Sequence, residues 1–219
     1  KGRHGGGVPV ITSSSDNGRT WTPVRTLIPD DNEVYYVMND SLVMLRSGRM
    51  IIPAAARSLT MKDSSEGGIC DACCFYSDDS GESWQLTPVD NRVILQDDPR
   101  GMAEPGIAEL SDGSIMMLAR TGKGCLYSSY STDEGMNWSD PEPTSLICPC
   151  SSFTLRRMND GRLIVFYNHA EPMKAGAFFP RNPLSYAISA DDGKSWSEPA
   201  MIDNEGCELD GDHRQHIYP

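Results

Sequence analysis

Apolar residues in this chain fall in short runs separated by breaks that carry glycine and aspartate. The runs are VPVITS (8–13), YYVMNDSLVML (35–45), RMIIPAAA (49–56), CDACCFYS (70–77), AEPGIAEL (103–110), SIMMLAR (114–120), CLYSSYS (125–131), SFTLRRM (152–158), RLIVFYNH (162–169) and LSYAIS (184–189). Their lengths and bounding turn residues predict strands. Three breaks, Arg46-Ser47-Gly48, Ser111-Asp112-Gly113 and Asn159-Asp160-Gly161, lie between adjacent apolar runs and predict hairpins. Stretches running on from Trp21 to Ile28, from Trp84 to Leu95 and from Trp138 onward predict further strands.

A second kind of break repeats. SSDNGRTW (14–21), SDDSGESW (77–84), STDEGMNW (131–138) and SADDGKSW (189–196) share the pattern S-x-D-x-G-x-x-W, spaced 63, 54 and 58 residues apart. All 4 tryptophans of the chain end one of these boxes. Aspartate can bond backbone N–H groups two residues on and glycine can take a positive φ, so D-x-G makes a tight turn that the serine hydroxyl can tie down. The tryptophan is expected to open the next strand and to bury against the neighbouring unit. The boxes therefore read as structural turns, and their acidic residues as neither catalysts nor metal ligands.

A fixed repeat of fifty to sixty residues, four strands to a unit, is the pattern of a β-propeller. With strands A to D in each blade, the glycine hairpin joins A to B and the box joins C to D. This places the last two strands of a blade at 1–30, complete blades at 34–98, 102–147 and 150–203, and a first strand at 207–219. The chain thus reads as all-β, part of a larger propeller; a closed four-bladed ring is the alternative. Because strands alternate in direction, the start of A, the end of B and the start of C share one face of the propeller.

Composition narrows the chemistry. A net charge of −12 makes nucleic acid and anionic membrane poor partners. No apolar run is long enough to span a bilayer. Seven cysteines cannot all pair internally. Cys70-x-x-Cys73-Cys74 and Cys148-x-Cys150 resemble zinc ligands only faintly, since no histidine stands at finger spacing and Cys73 and Cys74 would point to opposite faces of a strand. Reduced thiols are the expectation, with no metal and no cofactor; they favour a reducing compartment. The first residues, Lys1 to Gly7, read as neither a signal peptide nor an initiator start.

Four residues stand where charge would converge on one mouth. Glu104 opens strand A of the 102–147 blade, Arg120 ends its strand B, Arg181 precedes strand C of the next blade, and Tyr218 lies in the last candidate strand A. Asn39 and Asp40 sit near the same mouth. Asn168, His169 and Glu171 end a strand B there, where a local loop network is the favoured role. Lys123 follows Arg120 in a loop and is expected to be exposed.

The boxes resemble the Asp-box (BNR) repeat, whose best-known carriers are sialidases. The stretch EPGIAELSDGSIMMLAR (104–120) is similar to the sialidase segment in which a glutamate opens a strand and an arginine closes its hairpin partner. Arg181, eight residues before Ser189, resembles the next arginine of that family, and Tyr218 its nucleophile. The resemblance covers essentially the whole chain and is closest to bacterial exo-sialidase-like proteins of glycoside hydrolase family 33. It implies a six-bladed propeller and retaining hydrolysis of terminal sialic acid. Tyr218 would be the nucleophile and Glu104 its base; Arg120 and Arg181 would clamp the sugar carboxylate, with Asp40 as a further substrate contact. A neutral tyrosine suits this sugar because a carboxylate nucleophile would be repelled by the anomeric carboxylate. The family's first arginine and its aspartate acid/base have no counterpart here, since Arg3 and Asp16 do not fit. The 219-residue chain alone is therefore expected to hydrolyse sialosides poorly. The partner implied is a sialylated glycan or another acidic sugar; oligomeric state stays open. Export is implied by resemblance, against the compartment favoured by the thiols. A non-catalytic glycan-binding propeller, a hydrolase of another acidic sugar and a purely structural scaffold are the rival readings.

Overall fold

A computed structural model describes residues 9–27, 33–38, 41–58, 69–98, 100–170 and 181–204. Three antiparallel meanders form the body. The first blade pairs β3 (Glu33–Val37), β5 (Met50–Ser58), β6 (Asp71–Ser77) and β7 (Gln85–Leu86) in that order, with β4 (Val43–Met44) also on β5. The second blade is β8 (Ala103–Glu109), β9 (Ile115–Arg120), β10 (Cys125–Ser131) and β11 (Glu142–Ile147). The third is β12 (Thr154–Arg157), β13 (Leu163–Asn168), β14 (Leu184–Ser189) and β15 (Ala200–Asp203). A short pair, β1 (Val10–Ile11) and β2 (Arg25–Thr26), precedes them. The innermost strand β8 packs against both β5 and β12, so successive blades lie face to face. This is β-propeller architecture.

The core sits between blades. Along β9, Ile115, Met117 and Ala119 join the cluster shared with the first blade, whereas Met116 and Leu118 join the one shared with the third. A strand covered on both faces needs an unbroken apolar run, which SIMMLAR supplies. Cys73 and Cys74 likewise project into different clusters, as strand alternation requires. Burial pushes the Cys73 thiol up to about 12 and raises Cys74 well above the ordinary thiol value. Six described cysteines are free: Cys70, Cys73, Cys74, Cys125, Cys148 and Cys150.

Three sequence expectations need correction. The run 35–45 is not a single strand: β3 and β4 pair separately with β5. The run after the second box shortens to β7, because Pro88 lacks the N–H a ladder needs and a 3₁₀ turn follows at Val89–Asn91. Three of the four tryptophans do not open strands: β2, β11 and β15 begin four residues after Trp21, Trp138 and Trp196, beyond Pro23, Pro141 and Pro199, whereas β7 follows directly on Trp84. Lys1 to Gly7 and the strand expected at 207–219 lie outside the described residues.

Each box is closed internally. In the second, the Ser77 hydroxyl donates to Asp79 Oδ1 at 2.8 Å and accepts from the Gly81 N–H at 2.8 Å. Asp79 then accepts the Ser83 N–H at 2.8 Å and the Ser83 hydroxyl at 2.5 Å. The aspartate thus reaches four residues forward, not two. These hydrogen bonds hold the carboxyls of Asp16, Asp79 and Asp191 down at about 2. Trp84, Trp138 and Trp196 each pack on the cluster between their own blade and the preceding one. Trp21, by contrast, is 61% exposed.

Candidate active site

At the opposite end of the blades from the boxes, β8 and β9 present a carboxylate and a guanidinium to each other. Between Ala103 and Gly106 β8 advances three residues while β9 advances two, from Arg120 to Leu118. The extra residue is a β-bulge, and bulges re-aim side chains. Glu104 occupies it with φ +48°, a left-handed conformation uncommon outside glycine. Pro105, which has no N–H to lose from the ladder, fits the irregular position.

Glu104 Oε1 accepts from Arg120 Nη2 at 2.7 Å, with both side chains about one-fifth exposed. Its other oxygen, Oε2, accepts from the Ser152 hydroxyl at 2.8 Å. Arg120 Nη1 donates to the Cys150 carbonyl at 2.9 Å. The pair is therefore held from the next blade as well as from its own hairpin.

The loops carrying the pair share an anchor. Asp98, only 3% exposed, accepts the N–H groups of Arg100 at 2.7 Å, Gly101 at 3.0 Å and Gly122 at 2.9 Å. It ties the entry to β8 to the exit from β9. Gly101, with φ +65°, is pressed so closely on the Cys70 carbonyl oxygen that a methyl group there would overlap it.

Arg181 joins from the third blade. Its carbonyl accepts from the buried Asn168 Nδ2 at 2.7 Å, fixing the approach to β14. Burial raises the Cys148 thiol, and the charges of Arg120 and Arg181 both oppose that rise. Arg181 stands before β14, beside the end of β13, and Arg120 ends β9, so both positions fall at the same end of their blades. On the first-blade side, burial raises the Cys70 thiol; Arg57 and Arg120 oppose this, and Asp71 and Glu104 add to it. The structure thus brings Glu104, Arg120 and Arg181 to one end of adjacent blades. Tyr218 and Asp40 lie outside the described residues, as do Asn39 and Glu171. Asn168 is a loop-network residue, as favoured, and His169 faces the Tyr167 hydroxyl at 3.3 Å. Lys123 is exposed and donates to the Asp97 carbonyl at 2.7 Å.

Sequence reading missed Asp98, Ser152, Arg57 and Asp71. Arg57 carried a signal: it stands near the end of strand B of the first blade, as Arg120 does in the second. Asp98 and Ser152 carried none, because loop side chains have no period.

A propeller with boxed turns on one face and a Glu–Arg pair with a second arginine on the other defines a class. A family model described as a BNR repeat-like domain matches residues 3–219, and the chain belongs to that family. It is 35% identical over 137 residues to the anhydrosialidase of Macrobdella decora, covering 59% of this chain and 16% of that protein. The chain thus spans under a fifth of that curated relative. Among solved structures, the Hadza microbial sialidase Hz136 superposes with a TM-score of 0.68 at 18% identity, over 89% of this chain and 37% of that one. The intramolecular trans-sialidase from Ruminococcus gnavus, in complex with oseltamivir carboxylate, gives 0.63 at 21% identity, over 89% and 40%. Both share the fold of this chain, and the named relatives are sialidases.

Proposed function

We propose that this chain is the central part of an exo-α-sialidase that releases terminal sialic acid with retention of configuration. The observation that carries the reading is the Glu104–Arg120 pair on its bulge, at the same end of the blades as Arg181. Two arginines at one mouth supply bidentate, charge-assisted donors to a sugar carboxylate, each such bond contributing about 1.5–3 kcal/mol. Tyr218 acts as nucleophile. Its phenolic proton passes to Glu104 as the tyrosyl oxygen bonds to the anomeric carbon and the aglycone oxygen leaves, taking a proton from solvent. Water then displaces the tyrosine and gives up a proton to solvent, and Glu104 returns its proton to the tyrosyl oxygen. Asp40 contacts the substrate near the same mouth.

Glu104 held by Arg120 and Ser152 is fixed for such a transfer, since a candidate base must be positioned before its acidity matters. The test is release of the aryl group from an aryl α-sialoside by the full-length gene product. Arg120→Lys, which keeps the charge but loses the fork, is expected to raise KM by about tenfold to hundredfold. Sialic acid binding without release would assign a glycan-binding propeller instead, and neither binding nor release would point to another acidic sugar.

A further inference from the structure

We propose that Ser152 is a positioning residue for Glu104, and that the turn Cys148–Ser152, the link from β11 to β12, is a strap that sets the geometry of the Glu104–Arg120 pair. The inference rests on the reading of Glu104 as the proton acceptor.

Both ends of the pair are held by this segment. The Ser152 hydroxyl donates to Glu104 Oε2 at 2.8 Å, and the Cys150 carbonyl accepts from Arg120 Nη1 at 2.9 Å. Each contact is made by the atom type its partner requires: a donor to the carboxylate, an acceptor to the guanidinium. With Arg120 Nη2 on Oε1, each carboxylate oxygen has its own anchor, so the plane of the carboxylate is fixed.

The strap is itself built to hold a shape. The Cys148 N–H donates to the Gly124 carbonyl at 3.0 Å, and the Cys150 N–H to the Cys148 carbonyl at 3.0 Å. The Cys148 thiol lies 3.5 Å from the Ser151 hydroxyl. Ser151 and Ser152 are 0% and 7% exposed, so both hydroxyls are enclosed. Cys150 adopts φ +48°, the same left-handed conformation as Glu104. Outside the four box turns, the described non-glycine residues with positive φ are Asp97, Glu104 and Cys150. Such conformations persist where surroundings over-determine them, and they cluster at functional sites. Here two of the three flank the guanidinium of Arg120. Because the strap leads from β11 into β12, it links the blade that carries Glu104 and Arg120 to the blade that carries Arg181.

The test is Ser152→Ala in the full-length gene product. Loss of one charge-assisted hydrogen bond is expected to lower kcat on an aryl α-sialoside by about tenfold to hundredfold, with KM within about twofold of wild type and the melting temperature nearly unchanged. In a Glu104→Gln background the same substitution is expected to change the residual rate by less than about twofold, since its effect runs through the carboxylate. Additive losses in the two backgrounds, or a change confined to KM or to melting temperature, would overturn the assignment. A crystal structure of Ser152→Ala gives a readout independent of turnover. The Glu104 carboxylate is expected to leave its orientation on Arg120 or to occupy two, and an unmoved, single conformer would overturn the proposal even if the wild type proves inactive. Absence of turnover in the wild type would instead count against the sialidase reading.

Discussion

Glu104 takes a backbone conformation that costs on the order of 1 kcal/mol for a non-glycine residue, and it does so on a bulge. The position is maintained by the neighbours that over-determine it: Arg120, Ser152 and, through Gly101 and Gly122, Asp98. Gly101 is the most constrained of these. Gly101→Ala adds a methyl that overlaps the Cys70 carbonyl at a φ of +65°, and is expected to destabilise by about 2–4 kcal/mol, read as a lowered urea midpoint at unchanged slope. An unaltered midpoint would show that the loop relaxes freely. Glu104 and Arg120 were legible in the sequence because each stands at a defined place in a repeating unit. Ser152 and Asp98 were not: what marks them is a contact across a blade boundary or a loop, and the register of such contacts exists only in three dimensions.

At the scale of elements, the boxes are turns whose aspartates are saturated by their own residues. Their letters were legible, but the seventh position was overlooked although Thr20, Ser83, Asn137 and Ser195 all offer a side-chain donor there. The carboxyls of Asp16, Asp79 and Asp191 are held near 2 in the folded chain, below the usual value near 3.9 in an unfolded one. A depressed folded value means that the box bonds contribute fully above about pH 4 and are lost as pH falls toward 2. Stability followed by urea denaturation is expected to decline across that window, and Asp79→Asn to flatten the decline; an equally steep decline in the variant would refute the assignment. The tryptophans separate along the same lines. Trp138 packs on the cluster between first and second blades, so Trp138→Ala is expected to cost about 2 kcal/mol or more. Trp21→Ala, at a side chain 61% exposed, is expected to stay within about 0.5 kcal/mol. Equal losses at the two sites would contradict the inter-blade role. The displaced strand starts were misread because proline after the box removes ladder donors, a local effect that the apolar run outweighed in sequence reading.

At the scale of the whole molecule, blades joined face to face leave their polar chemistry at the two ends. One end carries boxes and hairpins, cross-linked between blades. Arg46 reaches Glu109, Arg49 reaches the Glu134 carbonyl, Arg157 meets Asp192, and Ser111 bonds Asp192. Those charges are spent on architecture. The other end carries Glu104, Arg120 and Arg181, and the division between ends was legible once strand direction was known to alternate. The BNR repeat-like family and its sialidase relatives place the fold. The most direct test is aryl α-sialoside hydrolysis by the full-length gene product beside Tyr218→Phe, which removes the phenolic oxygen alone. Release of the aryl group by the wild type is expected, falling by several orders of magnitude in the variant with sialic acid binding retained. Undiminished release by Tyr218→Phe, or none from a folded wild-type protein, would contradict it.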